Sequence, residues 1–331
     1  MKDFKDYSLL RHNTFGIDAR CNRFIEFASV DELRQVLDTV EGDYLLLGGG
    51  SNLLLTGDYH GTVITPEPRL DIRREGNCLR CWAGTTWDDV VAYAVEHGLY
   101  GIENLSFIPG EVGASAIQNI GAYGVEVKDV IRQVEAVEFS TGIKRVFTPE
   151  ACEYSYRQSR FKRDWKDQFV ITYVTYELST TYRPHLDYGN IRQQLAVKHI
   201  ENPTPEQLRE TIVEIRKAKL PDPQEQGNAG SFFMNPIVPT ETYRALNAQY
   251  PGMPHYTIDP THEKIPAGWL IEQCGWKGRS LGRAGVHDKQ ALVLVNRGGA
   301  TGAEVLYLCD TIRKDVKGKF GIDIYPEVNI R

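Results

Sequence analysis

The sequence predicts an α+β protein with a large first domain and a smaller second one. Its 331 residues exceed the length at which a single hydrophobic core usually stops growing. Helix and strand signals are mixed through the first two-thirds of the chain, and the stretch Leu-Pro-Asp-Pro at 220–223 breaks a helical pattern. We therefore expect one domain over residues 1–219 and a second over residues 220–331.

Helix and strand signals alternate in the first hundred residues. Ser29 precedes the segment DELRQVLDTVE, and a serine cap followed by acidic residues is typical of a helix start. The apolar run at 44–47 predicts a buried strand that ends at three glycines. Thr85 and Asp88 form a capping-box pattern before a helical segment that Gly98 ends.

The later elements are equally well marked. Residues 131–147 and 169–178 are rich in Val, Ile, Phe and Thr, which predicts strands. Thr204, Pro205 and Gln207 combine a cap, a first-turn proline and a capping-box partner, and predict a helix to about Lys219. The second domain is predicted to hold helices near 240–249, 266–274 and 301–317, with a strand in KQALVLVN.

The composition excludes several classes of protein. With 41% hydrophobic and 25% charged residues and a net charge of −6, the chain is an ordinary globular protein without the basic surface that nucleic acids or anionic membranes attract. It shows neither a signal peptide nor a long apolar run, so we expect a cytoplasmic protein. Of six cysteines only Cys78 and Cys81 are close. A strand would turn these two thiols to opposite faces, so we expect no metal site.

The first candidate binding segment is the glycine triplet Gly48-Gly49-Gly50, followed by Ser51 and Asn52. A pyrophosphate needs several backbone N–H groups aimed at one point, and glycine allows the chain to approach an anion closely. Ser51 and Asn52 add hydroxyl and amide donors. The alternative is a tight turn between two strands.

A second segment, FIPGEVGASAIQNIGAYG, places small residues around Gln118, Asn119 and Tyr123. The alternative is a glycine-rich hairpin with buried amides. Neither G-x-G-x-x-G nor the phosphate-binding GxxxxGK[ST] occurs in the chain, which argues against a conventional nicotinamide domain and a P-loop hydrolase. The two segments therefore predict a dinucleotide site of another architecture.

Read together, GGGSNLL, IPGEVGASAIQNIGAYG, YSYRQSRFK, KLPDP, GNAGSFFMNP and YPEV resemble the UDP-N-acetylenolpyruvoylglucosamine reductase family of peptidoglycan synthesis. The resemblance spans nearly the whole chain. It implies an FAD-binding domain of the vanillyl-alcohol-oxidase type over residues 1–219, with lobes of about 1–65 and 66–219, and a C-terminal substrate domain. It also implies noncovalent FAD, with NADPH as co-substrate, and reduction of an enolpyruvyl double bond to give UDP-N-acetylmuramate.

The resemblance assigns three catalytic residues. Arg157 in YSYRQS matches the catalytic arginine, whose fork suits a carboxylate. Ser231 in GNAGSFF matches the proton donor to C2, and Glu327 in YPEV matches a second group at the developing enolate. We expect Glu327 to be protonated or strongly hydrogen-bonded during the reaction, because a bare carboxylate would repel an anionic intermediate. Taken alone, Arg157 is a surface charge, Ser231 a helix cap and Glu327 an ordinary acid near the terminus.

The resemblance also assigns residues that contact the cofactor and the substrate. The resemblance gives FAD contacts to Gly48, Gly49, Gly50, Ser51, Asn52, Leu53, Pro109, Gly110, Val112, Gly113, Ala114, Gln118, Asn119, Gly121 and Ala122. It gives substrate contacts to Tyr123, Tyr188, Lys219, Asn235 and Gln290. Tyr188 resembles a tyrosine on a loop that closes over the diphosphate in the longer class of the family, and its alternative is a surface tyrosine beside a turn.

Two residues depart from the family pattern. Met234 replaces a common lysine, and Glu111 stands where a small hydroxyl residue is frequent. Glu111 is compatible with a nearby pyrophosphate only if it points away. We expect a monomer that binds neither nucleic acid nor membrane. Two other interpretations are a related flavin oxidoreductase and a non-catalytic nucleotide-sugar-binding module.

Overall fold

The computed structural model describes all 331 residues, which form two compact units. Unit 1 contains Met1–Tyr7, Cys21–Gly49 and His60–Ala218. Unit 2 contains Ser8–Arg20, Gly50–Tyr59 and Lys219–Arg331. Two short segments of the N-terminal part of the chain thus belong to the unit that is otherwise C-terminal.

The strands are β1 (Lys2–Ser8), β2 (Arg20–Phe27), β3 (Tyr44–Leu46), β4 (Leu53–Leu54), β5 (Tyr59–Pro66), β6 (Ile72–Glu75), β7 (Cys78–Trp82), β8 (Gly121–Ala122), β9 (Val125–Glu126), β10 (Ile131–Glu138), β11 (Lys144–Phe147), β12 (Phe169–Glu177), β13 (Ile237–Pro239), β14 (Tyr256–Asp259), β15 (His262–Lys264), β16 (Ser280–Leu281), β17 (Ala284–Val286), β18 (Leu294–Asn296) and β19 (Asn329–Ile330). The α-helices are α1 (Val30–Leu37), α2 (Trp87–Glu96), α3 (Val112–Gln118), α4 (Pro149–Cys152), α5 (Ile191–Val197), α6 (Pro205–Lys219), α7 (Thr240–Gln249), α8 (Ala267–Gln273) and α9 (Gly302–Phe320). No helix is both long enough and apolar enough to cross a membrane. The mixture of helices and strands confirms the predicted fold class.

Unit 1 is built on two sheets. The first has the strand order β1-β2-β5-β3, with β3 and β5 parallel. The second is an antiparallel sheet of order β11-β10-β12-β7-β6. Helices α2 and α3 pack on the second sheet, where Trp87 lies edge-on to Tyr176 with ring centroids 5.4 Å apart. Both side chains are fully buried, so this aromatic contact lies at the centre of the core.

Unit 2 contains two three-stranded sheets, β13-β15-β14 and β16-β17-β18, and the parallel pair β4-β19. Its longest helix, α9, starts with a complete capping box between Thr301 and Glu304. A Cβ on Gly302 would lie 1.7 Å from the carbonyl oxygen of Leu55. Only glycine therefore allows the start of α9 to lie against the 50–59 segment.

Most predicted elements of secondary structure are confirmed, including the Ser29 cap of α1, whose side chain accepts from the N–H of Glu32. One cap is wrong: α2 begins at Trp87, and the Thr85 hydroxyl instead donates to the Arg69 carbonyl oxygen over 2.9 Å. The strand predicted in KQALVLVN is limited to β18, and α9 extends three residues beyond the predicted end. These errors concern boundaries, where local signals are weakest.

Candidate active site

The first glycine-rich loop connects strands of different sheets. β3 pairs with β5, whereas β4 pairs with β19, so the loop is not a turn between paired strands. Gly50 has φ +65°, and a Cβ on it would lie 2.0 Å from the carbonyl oxygen of His12. This position therefore accepts only glycine.

Gly48 and Gly49 leave their backbone open to a ligand. The atom nearest to a Cβ on either residue is a carboxylate oxygen of Glu111, at 2.7 Å for Gly48 and 2.2 Å for Gly49. The peptide groups are thus reached directly by an anion, which is what close backbone binding of a phosphate requires. This part of the loop therefore has an anion-accepting backbone.

The Glu111 side chain points into this loop, so the condition under which it is compatible with a nearby pyrophosphate is not met in this structure. The N–H of Gly49 donates to Glu111 Oε2 over 2.5 Å. Burial raises the pKa of the Glu111 carboxyl, while the backbone N–H groups of Gly49 and of Glu111 itself counteract the rise. A carboxylate therefore already occupies the anion-binding end of the loop.

The first two backbone N–H groups of α3 hydrogen-bond the segment that follows β7. Val112 N donates to the Thr85 carbonyl oxygen and Gly113 N to that of Ala83, both over 2.9 Å. A Cβ on Gly113 would lie 3.1 Å from the Cβ of Ala83. These two N–H groups are engaged within the protein, and Gly113 lets α3 approach the turn after β7 closely.

Asn119, predicted to contact FAD, is fully buried and joins three segments of unit 1. Its Nδ2 donates to the Glu126 carboxylate over 2.8 Å and to the Ser155 carbonyl oxygen over 2.9 Å. Its Oδ1 accepts from Lys128 N over 3.1 Å. All three hydrogen bonds of the Asn119 amide are made to other residues of the protein, so this side chain positions the YSYRQS segment. Gln118, just before it, ends α3, and Gly121 and Ala122 form β8.

Arg157 lies in a tight turn closed by reciprocal backbone hydrogen bonds between Ser155 and Gln158. It has φ +55°, which is unusual for a residue with a side chain. Its Nη2 donates to the Gly121 carbonyl oxygen over 2.8 Å. The fold thus brings the predicted catalytic arginine beside the second glycine-rich segment.

Arg216 on α6 is a further cation in this region that the sequence analysis missed. Its Nε donates to the carbonyl oxygen of Phe107 over 3.0 Å, and the Tyr123 hydroxyl lies near enough to favour its charged form. Burial lowers the pKa of Arg216, and the positive charge of Arg157 lowers it further. Two arginines and a tyrosine therefore face one region of unit 1. A lone arginine on an amphipathic helix gives no sequence signal for such a role.

The predicted substrate residues Tyr123 and Tyr188 lie together. A Cβ on Gly124 would contact the Tyr188 side chain at 3.5 Å, and a Cβ on Gly189 would contact the Tyr123 ring at 3.7 Å. Tyr188 remains 38% exposed, so the loop that carries it packs on the Tyr123 turn and stays partly open to solvent.

In unit 2 the backbone brings Ser231 and Glu327 into neighbouring positions. Glu327 N donates to the Phe232 carbonyl oxygen over 2.8 Å, and Met234 N donates to that of Tyr325 over 2.9 Å. Ser231 is exposed and lies in a segment without regular secondary structure, with no helix directly after it, so its interpretation as a helix cap is wrong.

Asn52 of the first loop also lies in this part of unit 2. Its Nδ2 donates to the Glu327 carbonyl oxygen over 3.3 Å. The next residue, Leu53, is buried and pairs with Asn329. The segment after the glycine triplet and the segment that carries Glu327 therefore run side by side.

Asn235 and Gln290 each lie beside the start of α8. Asn235 Oδ1 accepts from Ala267 N over 2.9 Å. A Cβ on Gly268 would lie 3.0 Å from Gln290 Oε1. Lys219, the last residue of α6, is exposed. Of the predicted substrate residues of unit 2, Asn235 and Gln290 therefore lie near the same end of α8.

Comparison with known proteins supports the motif-based resemblance. A model of the C-terminal domain of UDP-N-acetylenolpyruvoylglucosamine reductase matches residues 222–331, and a model of an FAD binding domain matches residues 22–146. The chain is 54% identical over 329 residues to the UDP-N-acetylenolpyruvoylglucosamine reductase of Bacteroides fragilis, and 46% identical over 331 residues to that of Porphyromonas gingivalis. Each match covers 98% of both proteins.

A solved structure agrees at the level of the fold. The crystal structure of UDP-N-acetylenolpyruvylglucosamine reductase from Thermus caldophilus superimposes with a TM-score of 0.70 at 23% identity, covering 99% of this chain and 98% of the other. These findings favour the reductase over the two other interpretations of the sequence. The chain belongs to the UDP-N-acetylenolpyruvoylglucosamine reductase family, a family of FAD-dependent oxidoreductases.

Proposed function

We propose that Arg157, Ser231 and Glu327 carry out the reduction of UDP-N-acetylenolpyruvoylglucosamine to UDP-N-acetylmuramate in this chain. NADPH is the source of the reducing equivalents. FAD, when bound, supplies the hydride chemistry at C3 of the enolpyruvyl group. The protein then has two tasks: to stabilise negative charge on C2 and the carboxylate, and to deliver a proton to C2.

Arg157 is proposed to bind the enolpyruvyl carboxylate. Its guanidinium offers paired donors that suit both carboxylate oxygens. The closed turn holds the backbone of Arg157, and the hydrogen bond to the Gly121 carbonyl oxygen orients its guanidinium. Arg216 adds a second positive charge in a partly desolvated setting, which favours an anionic ligand.

Ser231 is proposed to protonate C2, with Glu327 at the developing enolate. The observation that carries this assignment is the pairing of Glu327 N with Phe232 O and of Met234 N with Tyr325 O, because it brings two motifs 96 positions apart in the sequence next to each other. A serine hydroxyl is a weak acid, so donation requires a strongly basic C2 or a neighbour that shares the proton.

Domain roles, oligomeric state and location are part of the same proposal. Residues 1–219 hold FAD and residues 220–331 bind the UDP-sugar, with the 8–20 and 50–59 segments contributing to the second unit. The first glycine-rich loop binds the FAD diphosphate, and Tyr123, Tyr188, Lys219, Asn235 and Gln290 contact the substrate. The enzyme acts as a cytoplasmic monomer, which gel filtration and cell fractionation test.

The experiment that tests the catalytic roles separates the two half-reactions by stopped-flow spectroscopy of the flavin. In Ser231→Ala we expect reduction by NADPH to continue at the wild-type rate, while reoxidation by the enolpyruvyl substrate slows by about 10²-fold or more. Ser280→Ala removes an exposed hydroxyl elsewhere in unit 2 and should leave both rates unchanged. Equal loss of both half-reactions in Ser231→Ala would contradict the assigned role.

A further inference from the structure

Glu111 places a carboxylate at the point where a phosphate would bind the first glycine-rich loop. Gly49 N donates to its Oε2, and its two oxygens are the nearest atoms to the Cβ positions of Gly48 and Gly49. These are the same features that fit the loop to a diphosphate: an N–H group aimed outward and a backbone with no side chain over it. One N–H group cannot serve two anions at once.

The surroundings of Glu111 offer its charge little compensation. Gly48 and Gly49, residues 83–86 and α3 pack around it, and none of these segments contains an ionisable side chain. Asp88, the first acid on the neighbouring α2, is bound at both oxygens by Arg209 over 2.8 and 2.9 Å. The hydrogen bonds that favour the ionised form of Glu111 come from backbone N–H groups.

We propose that Glu111 is a competing anion at the first glycine-rich loop, and that FAD binds by displacing its carboxylate from Gly49 with uptake of one proton from solvent. The proton becomes bound to a Glu111 carboxyl oxygen, and no other bond forms or breaks. This inference rests on the proposed assignment of the loop to the FAD diphosphate. It assigns Glu111 a role in cofactor affinity.

The direction of the pH dependence follows from the charges. A phosphate near Glu111 disfavours the ionised carboxylate, so the pKa of Glu111 is higher with FAD bound than without it. Between the two pKa values, binding requires a proton and the affinity for FAD falls as the pH rises. Linkage sets the limit at about tenfold in Kd per pH unit for one proton.

The test measures the Kd of FAD on cofactor-stripped protein by quenching of flavin fluorescence, from about pH 5, just above the ordinary pKa of a glutamate, to about pH 8.5. Between the pKa of Glu111 in the free protein and its pKa with FAD bound, we expect the Kd of the wild type to rise by up to about tenfold per pH unit. The Kd of Glu111→Gln should not change with pH and should be lower than that of the wild type at high pH. Glu103→Gln is the matched control. Glu103 is also a buried acid of unit 1 with a raised pKa, and this variant should keep the wild-type pH dependence.

Titration calorimetry on the wild type counts the protons without any variant. Binding heats in buffers of different ionisation enthalpy should give an uptake of up to about one proton per FAD within the window. Zero uptake across the range, or the same pH dependence in the wild type and Glu111→Gln, would overturn the inference.

Gly49→Ala separates this inference from the assignment on which it rests. Its methyl group would occupy the carboxylate position, so it should weaken FAD binding if the loop holds the diphosphate. Unchanged FAD binding in Gly49→Ala refutes the loop assignment and the inference with it. Weaker binding in Gly49→Ala, together with a level wild-type pH profile, refutes the inference about Glu111 alone.

Discussion

Replacing Asn119 with alanine tests whether this residue holds the protein together or contacts the cofactor. The substitution removes two neutral hydrogen bonds, to Ser155 O and from Lys128 N, and one to the Glu126 carboxylate. At about 1 kcal/mol for each neutral bond and about 2 kcal/mol for the charged one, the loss is about 4 kcal/mol. Asn119 also has φ +49°, a conformation that costs alanine about 1 kcal/mol more.

The total of about 5 kcal/mol corresponds to a fall of about 10–20 °C in the melting temperature of a domain of this size. The assay is thermal unfolding of the cofactor-stripped protein, followed by circular dichroism. Asn77→Ala is the control, because Asn77 is only partly buried and its Nδ2 donates one ordinary hydrogen bond, to Leu178 O over 2.8 Å. We expect Asn77→Ala to lower the free energy of unfolding by about 1 kcal/mol. If Asn119→Ala melts no lower than Asn77→Ala but has lost FAD binding, the side chain contacts the cofactor and the reasoning is wrong.

Two further predictions concern the loop and the missed arginine. Gly50→Ala should cost more than about 2 kcal/mol of stability and impair FAD binding, because its methyl group meets the His12 carbonyl oxygen and its φ is positive. Gly57→Ala, with nothing within 4 Å of the added methyl, should change stability by less than about 0.5 kcal/mol, and equal melting temperatures for the two variants would contradict the steric argument. Arg216→Leu should reduce kcat/KM for the enolpyruvyl substrate about 10- to 100-fold, because it removes one charged hydrogen bond to the anionic substrate. Arg216→Lys keeps the charge without the planar guanidinium, so its kcat/KM should lie between those of the wild type and Arg216→Leu. A fully active Arg216→Leu in steady-state assays would show that the charge has no role.

The sequence alone determined the elements and the family. The caps at Ser29 and Thr204, the proline start of α6 and the glycines that follow strands are local signals, set by backbone hydrogen bonding within a few residues. The Thr85 cap failed because α2 begins two residues later, at Trp87, and the Thr85 hydroxyl oxygen accepts from the N–H of Asp71 instead. The six motifs identified the family because their order along the chain carries information that no single motif has.

Only the tertiary structure decided what individual side chains do. Asn119 and Glu111 both lie in a segment predicted to bind FAD. The Asn119 amide instead hydrogen-bonds residues up to 36 positions away, and the Glu111 carboxylate accepts from the N–H of a glycine 62 positions away. Arg216 gained its place beside Tyr123 through the docking of α6. Such contacts depend on which distant segments pack together and on how burial shifts the competition between water and protein partners. Local sequence patterns do not encode that competition, so the chemistry of the family could be predicted from the sequence while the individual behaviour of its cofactor loop could not.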